Sequence, residues 1–200
     1  MRFSFNGFVY TLIIDPVLSG AQSDVTSRLK PGQKVLDVAC GTGSLSLAMA
    51  GKVSDVTGID LSEEMIALAR RSAHRRGIKN VTFDNMDASD LSSFGDNEFD
   101  VAVSSMAVHQ FDAGLALSIL KEMKRIAKEV VIMDYNYPVP PGILGPIIYT
   151  IERIAGGDHY RNFKIYNRLG GLDYFIDKSG LELVSDSLRR STAFRVISCR

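Results

Sequence analysis

The stretch VLDVACGTGSL, residues 35–45, packs an apolar run, an internal acid and a glycine-spaced turn into eleven positions. A turn at Pro31 and Gly32 precedes it, and the continuous apolar run that follows is the pattern of a strand buried on both faces of a parallel sheet. The strand is expected to end at Ala39 and a helix to begin near Ser44, which leaves Gly41 and Gly43 in a tight strand-to-helix turn.

Outward from that turn the pattern alternates. Helices are predicted at 44–50, 63–76 and 113–128, and strands at 53–59, 81–86, 99–104 and 129–134. Ser62 supplies an N-cap hydroxyl, and Glu63 and Glu64 suit the dipole of the helix that follows. Regular alternation of this kind predicts an α/β fold with a doubly wound, mostly parallel, seven-stranded sheet. Before it, Phe5, Phe8, Val9, Leu12 and Ile13 mark one face of an amphipathic helix, and a second short helix is expected at 20–29. After YPVPPG at 137–142 come an apolar segment to Ala155, a polar link GGDHYRN, a helix at 166–178 and two β runs that finish the sheet antiparallel. The expected organisation is one domain: a helical cap at 1–30, a cofactor-binding core at 31–137, a lid or substrate insertion at 138–170, and a C-terminal portion at 171–200. An insertion after a strand's carboxyl end lies where open α/β sheets bind ligands.

Composition narrows the partners. The chain has 200 residues, 46% hydrophobic, with 23 basic and 23 acidic side chains, so no net field favours nucleic acid or an anionic membrane. Cys40 and Cys199 form no CxxC pair, which indicates neither a disulfide framework nor a zinc cluster and fits a reducing, cytoplasmic setting. The apolar stretch from Gly142 is interrupted by Pro146, Glu152 and Arg153, and falls short of the ~20 apolar residues that span a bilayer. Peripheral contact with a membrane surface through 143–154 is the remaining membrane reading.

The glycine turn resembles a dinucleotide fingerprint, but the position of the third glycine holds Ser46. Asp37, four residues before Gly41, would repel a diphosphate and attract a cationic amino group. Asp60 ends the next strand, where a carboxylate can accept hydrogen bonds from both ribose hydroxyls. Asp87 ends the third strand and can accept from the exocyclic amine of an adenine. Three acids at adjacent strand tips suit an adenosine carrying an aminoacyl tail. Singly, each has a structural reading as a turn or helix cap.

With these residues in place, the run from Val35 to Asp134, including VTGIDLSEEMIALAR and DNEFDVAVSSMAVHQF, resembles the class I S-adenosylmethionine-dependent methyltransferases. Within them it is most similar to the ubiquinone/menaquinone C-methyltransferase group and to small bacterial phospholipid N-methyltransferases. The resemblance implies that Asp37, Ala39, Gly41 and Gly43 line the methionine moiety, that Asp60 binds ribose with Leu61 and Met65 against the base, and that Met86, Asp87 and Ala88 hold adenine. It also implies that Ser104, Ser105 and Met106 pass near the sulfonium and that Tyr10 covers the cofactor. The sequence departs from the family pattern at DLSSF, at the missing proline-glycine-glycine turn before the fifth strand, and in a short insertion.

His109, just past the fourth strand, is the candidate catalytic base, because imidazole takes a proton near neutral pH. Its alternative is a histidine that satisfies a helix start. His159, Tyr160 and Arg161 in the lid are candidate substrate contacts, whereas His74 in RRSAHRRGIK reads as a solvated helix end. No metal is expected. The resemblance implies S-adenosylmethionine as cofactor, S-adenosylhomocysteine as product, and a small or lipid-like acceptor. The alternatives are a noncatalytic adenosylmethionine-binding protein or an NAD(P)-dependent oxidoreductase, the latter opposed by Asp37 and Ser46.

Overall fold

The computed structural model describes residues 15–187 and 193–200. The amphipathic face at 5–13, Tyr10 included, lies outside the described residues. The architecture is α/β with a seven-stranded sheet, mostly parallel and antiparallel at its C-terminal strands, as expected. The chain divides into two compact units, residues 1–88 and 89–200.

In the first unit, helix α1 (Asp15–Arg28) precedes strand β1 (Lys34–Val38), helix α2 (Ser44–Met49), strand β2 (Asp55–Asp60), helix α3 (Glu63–Arg76) and strand β3 (Val81–Asn85). The three strands are parallel in the order β3-β2-β1, with Val35 beside Val56 and Val56 beside Val81. Val35, Leu36, Val38, Val56 and Ile59 are all fully buried, which is why β1 reads as an apolar run without alternation. Helix α3 is bounded as its sequence dictates. The Ser62 hydroxyl accepts from the Met65 amide, and Gly77, at φ 65°, closes the far end by donating to Ala73 and His74 carbonyls.

In the second unit, strand β4 (Phe99–Ser105), a 3-10 turn (Val108–Gln110), helix α4 (Ala113–Ile126) and strand β5 (Ala127–Tyr135) lead to helices α5 (Leu144–Ala155), α6 (Gly157–Leu169) and α7 (Leu172–Ser179). Strands β6 (Leu183–Asp186) and β7 (Phe194–Cys199) end the unit. Strand β4 is parallel to β5, while β7 is antiparallel to both β5 and β6. Helix α4 passes directly into β5 at Ala127, the tight connection implied by the missing turn residues. Arg195, 4% exposed, fastens this end by pairing with Asp173 and Asp186 at 2.8 Å each. Among the described residues no helix is long and apolar enough to cross a membrane.

Two expectations are corrected. GGDHYRN is not a link: it forms the first turns of α6, which buries Asn162, Phe163, Tyr166 and Asn167 along one face. Two of those four are polar, so apolar periodicity alone understates the helix. The single helix expected at 166–178 is two helices, because Gly170 and Gly171 stand at φ 109° and 66° and end α6. A Cβ at Gly171 would come within 2.5 Å of the Tyr137 Cβ, so the break is also a close approach.

Glycines 41 and 43 both adopt positive φ, 53° and 75°, but for different reasons. A Cβ on Gly43 would lie 2.7 Å from the Phe83 ring and 2.9 Å from the Ala69 Cβ, whereas one on Gly41 meets nothing within 4 Å. Gly43→Ala is therefore expected to destabilise the fold by about 3 kcal/mol, from overpacking added to a left-handed backbone. Gly41→Ala should cost only about 1 kcal/mol. Urea unfolding of the two variants tests this, and equal losses would contradict the packing assigned to Gly43.

Candidate functional site

The first unit places its acids around the glycine turn. Asp60, at the tip of β2, uses both oxygens on backbone: Oδ2 accepts from the Gly41 amide and Oδ1 from the Ser62 amide, each at 2.8 Å. The turn closes on itself through the Cys40 amide donating to Ile59 and the Gly43 amide donating to Cys40. Asn85, at the end of β3, donates to the carbonyls of Asp60 and Leu61 at 2.9 and 2.8 Å and so holds this tip from the side. Burial raises the Asp60 pKa, against the lowering effect of the two amides.

The commitment of the Gly41 N–H to Asp60 decides what the turn can bind. A glycine turn that receives phosphate needs its amides free and its surroundings positive. Here that amide already faces a carboxylate. The turn thus suits a neutral or cationic ligand, and the open space beside Gly41 admits it to the backbone.

Asp37 is 1% exposed, and its Oδ2 accepts from the Ser46 hydroxyl at 2.5 Å. Ser46 occupies the position where a dinucleotide fingerprint requires glycine, so the departure has a structural reason: it supports the buried acid. Burial pushes the Asp37 carboxyl up to about 7, Ser46 opposes the shift, and the charge of Asp60 adds to it. Burial, with the charges of Asp37 and Asp60, also raises the Cys40 thiol pKa, leaving a protonated thiol and no nucleophile. Leu61, beside Asp60, is 73% exposed, an apolar side chain at the rim of the same tip. Met65, Met86 and Ala88 are half-buried and Asp87 is exposed just past β3.

In the second unit, Ser104 and Ser105 end β4 and Met106 follows at φ 55°, its amide donating to Met133 and its carbonyl accepting from the Gln110 side chain. His109 is 1% exposed. Its Nδ1 lies 2.6 Å from Asp134 Oδ1 and its backbone amide donates to Asp134 Oδ2, while its Nε2 lies 3.6 Å from Glu152 Oε1. The Tyr135 hydroxyl donates to the same Glu152 oxygen, and His159 Nε2 stands 2.6 Å from Oε2. Burial disfavours a charged His109, but Asp134 and Glu152 outweigh it and raise its pKa. Burial likewise works against ionised Glu152, and His159, His109 and Tyr135 together lower its pKa.

Of the three candidate substrate contacts, His159 joins this cluster, its ring centroid 5.6 Å from that of His109. Arg161 is exposed and pairs with Asp158, and Tyr160 lies under the Lys164 ammonium. The sequence reading missed Ser46 and Asn85 as supports, and gave Asp134 and Glu152 no site role. Glu152 had a signal: it continues the buried stripe Gly145, Ile148, Glu152 of α5, where an acid needs a partner.

Seven strands with this order of elements and a glycine turn after β1 define a Rossmann-like fold of the methyltransferase type. Residues 35–129 match the family model described as a methyltransferase domain, and that segment belongs to the family. A demethylmenaquinone methyltransferase of Bacillus cereus (strain AH187) is 32% identical over 150 residues, covering 70% of this chain and 62% of the relative. The methyltransferase YcgJ of Bacillus subtilis is 27% identical over 139 residues, covering 68% and 53%. The chain thus spans between half and two thirds of the length of these relatives. A solved SAM-dependent methyltransferase from Aquifex aeolicus has the same fold, with a TM-score of 0.70 at 20% identity over 98% of each chain.

The raised Asp37 pKa carries a sign. Between the carboxyl's ordinary value near 3.8 and about 7, the folded chain holds a proton that the unfolded chain has released. Stability from this group is therefore present at low pH and is lost as pH rises through about 7. Relative to the wild type, Asp37→Asn should gain stability as pH rises from about 5 to 8, by about 1 to 4 kcal/mol. Denaturant unfolding of both proteins across that range measures it, and parallel curves would contradict a buried, proton-holding Asp37.

Proposed function

We propose that the chain is an S-adenosylmethionine-dependent methyltransferase acting by direct transfer on a small or lipid-like acceptor, with a quinone-like ring as the first candidate. The observation that carries the cofactor half is the turn itself. Its glycine amide is closed to phosphate by Asp60, open space lies beside Gly41, and a buried acid, Asp37, has no cation beside it in the described structure. A ligand with an ammonium at one end and an adenosine at the other fits those three features. When bound, adenosylmethionine supplies a methyl group on a cationic sulfur, already activated for displacement.

The chain's own contribution is placement. Asp37 holds the ammonium, with Ser46 fixing the carboxylate. Asp60 keeps lone pairs for ribose hydroxyls while it shapes the turn, and Leu61 gives the base an apolar neighbour. With a donor so activated, alignment and exclusion of water supply most of the acceleration. The acceptor half is supported by the name of the Bacillus cereus relative and by α5, which leaves Leu144, Ile147 and Ile154 exposed at 41%, 47% and 64%. An apolar surface of that kind suits a lipophilic acceptor.

Calorimetric titration with S-adenosylhomocysteine and, separately, NADH tests the cofactor. S-adenosylhomocysteine should bind, and Asp60→Asn, which keeps one acceptor for the turn amides, should weaken it by about 10- to 150-fold. Gly41→Ala should weaken it with little loss of stability. Binding of NADH without S-adenosylhomocysteine would overturn the assignment. Transfer of labelled methyl to a demethylated quinol, and not to phosphatidylethanolamine vesicles, would support the acceptor class, and the reverse would replace it with a phospholipid.

A further inference from the structure

We propose that His109, Glu152 and His159 form a binding site for one divalent first-row transition metal, of which zinc is the probe of choice. One ring nitrogen of each histidine and a Glu152 carboxylate oxygen all lie within 4.8 Å of one another, with Nε2 of His109 and of His159 3.6 and 2.6 Å from the carboxylate. They come from three places in the second unit: the 3-10 turn after β4, helix α5 and the first turn of α6.

The surroundings are arranged as a metal site requires. Asp134 engages His109 Nδ1 at 2.6 Å, which places a proton on that nitrogen and leaves the Nε2 lone pair free, 3.6 Å from Glu152 Oε1. Tyr135 donates to Glu152 Oε1 at 2.8 Å and orients the carboxylate. Glu152 Oε2 and His159 Nε2 are buried 2.6 Å apart, yet neither has a hydrogen-bond partner of acceptable geometry among the described residues. A buried carboxylate oxygen and a ring nitrogen this close are held together by a cation, either a proton on the imidazole or a metal ion that takes its place and separates the pair. Tetrahedral ligands about 2.1 Å from zinc stand about 3.4 Å apart, so the side chains need to open by less than about 1 Å.

Charge agrees with geometry. Asp134 and Glu152 bring two carboxylates into a region where His109 is 1% exposed and the Glu152 side chain 4% exposed. One divalent ion between neutral imidazoles balances both. Two nitrogens and one oxygen select zinc, cobalt or iron over magnesium and calcium, which prefer oxygen alone. The set leaves at least one coordination position for water. The expectation of no metal rests on two cysteines without ligand spacing and on a methyl donor that is already activated; the three ligands here, 43 and 7 positions apart across three elements, match no ligand spacing.

The test is direct because the chain has three histidines in all, the third being His74 on α3 in the other unit. The full-length protein, stripped with chelator and dialysed, is titrated with zinc chloride and with cobalt chloride. About one equivalent of each should bind, cobalt with the visible bands of low coordination number, while magnesium chloride gives no heat. His159→Gln and Glu152→Gln should each weaken zinc by at least about 100-fold, and His74→Gln should leave it unchanged. Circular dichroism of each variant separates loss of a ligand from loss of fold, and His159→Gln, at a partly exposed position, is the variant expected to stay folded. Absence of stoichiometric zinc binding, or binding that survives His159→Gln in a folded protein, would overturn the proposal, as would binding that His74→Gln removes.

Discussion

The first unit depends on one carboxylate. Asp60 accepts from the amide of Gly41 on one side and of Ser62 on the other, so the turn after β1 and the start of α3 are both fastened to the tip of β2. Without it, two backbone donors in a half-buried place would lack a partner, at a cost of about 1 to 3 kcal/mol each. The same bond fixes the polarity of the turn. A Rossmann-like strand-to-helix turn usually offers its amides to an anion. In this chain the anion is part of the protein, and the open space beside Gly41 takes the opposite preference.

That arrangement explains why the neighbouring acid is tolerated. A buried carboxyl without a cation is costly ionised, and Asp37 avoids the cost by holding its proton up to about pH 7, with the Ser46 hydroxyl at 2.5 Å. An arriving ammonium changes the balance, because it stabilises the ionised form and displaces the proton. Ligand affinity and the protonation of Asp37 are therefore linked. The three features (open backbone, spent amide and uncompensated acid) belong to one electrostatic design.

The sequence was most legible where local chemistry and tertiary packing agree. Helix α3 could be read to the residue from Ser62, the acids after it and the arginines before Gly77, since caps act within one turn of the chain. Strand β1 was legible because burial on both faces leaves Val35, Leu36 and Val38 apolar without alternation, broken by the one acid Asp37. Helix α6 was not, since its buried face carries two polar residues: Asn167 bonds back to the Phe163 carbonyl within the helix, and Asn162 finds the Gln110 carbonyl 52 positions away, which no local pattern announces. Asp37 and Asp60 were found as strand tips, but the roles of Ser46 and Asn85 rest on bonds across nine and about 25 positions. Glu152 was read only as a charge interrupting an apolar stretch. Its partners lie 43 and 17 residues before it and 7 after.

The two units solve the same problem differently. Each buries acidic groups near strand carboxyl ends, where backbone polarity and converging loops favour ligands. In the first, Asp37 meets the Ser46 hydroxyl and backbone amide and the charge of Asp60, and no cation among the described residues, so burial suppresses its charge. In the second, Asp134 and Glu152 meet imidazoles, which carry the compensating proton or give it up to an ion. Removing a single partner from a buried set of this kind leaves an uncompensated charge, so such sets are kept or lost as a whole. A buried acid whose proton can be exchanged for a cation is a site in waiting, and the identity of the cation follows from the groups around it. An ammonium suits Asp37, where no imidazole stands among the described partners, and a metal suits the nitrogens that converge on Glu152.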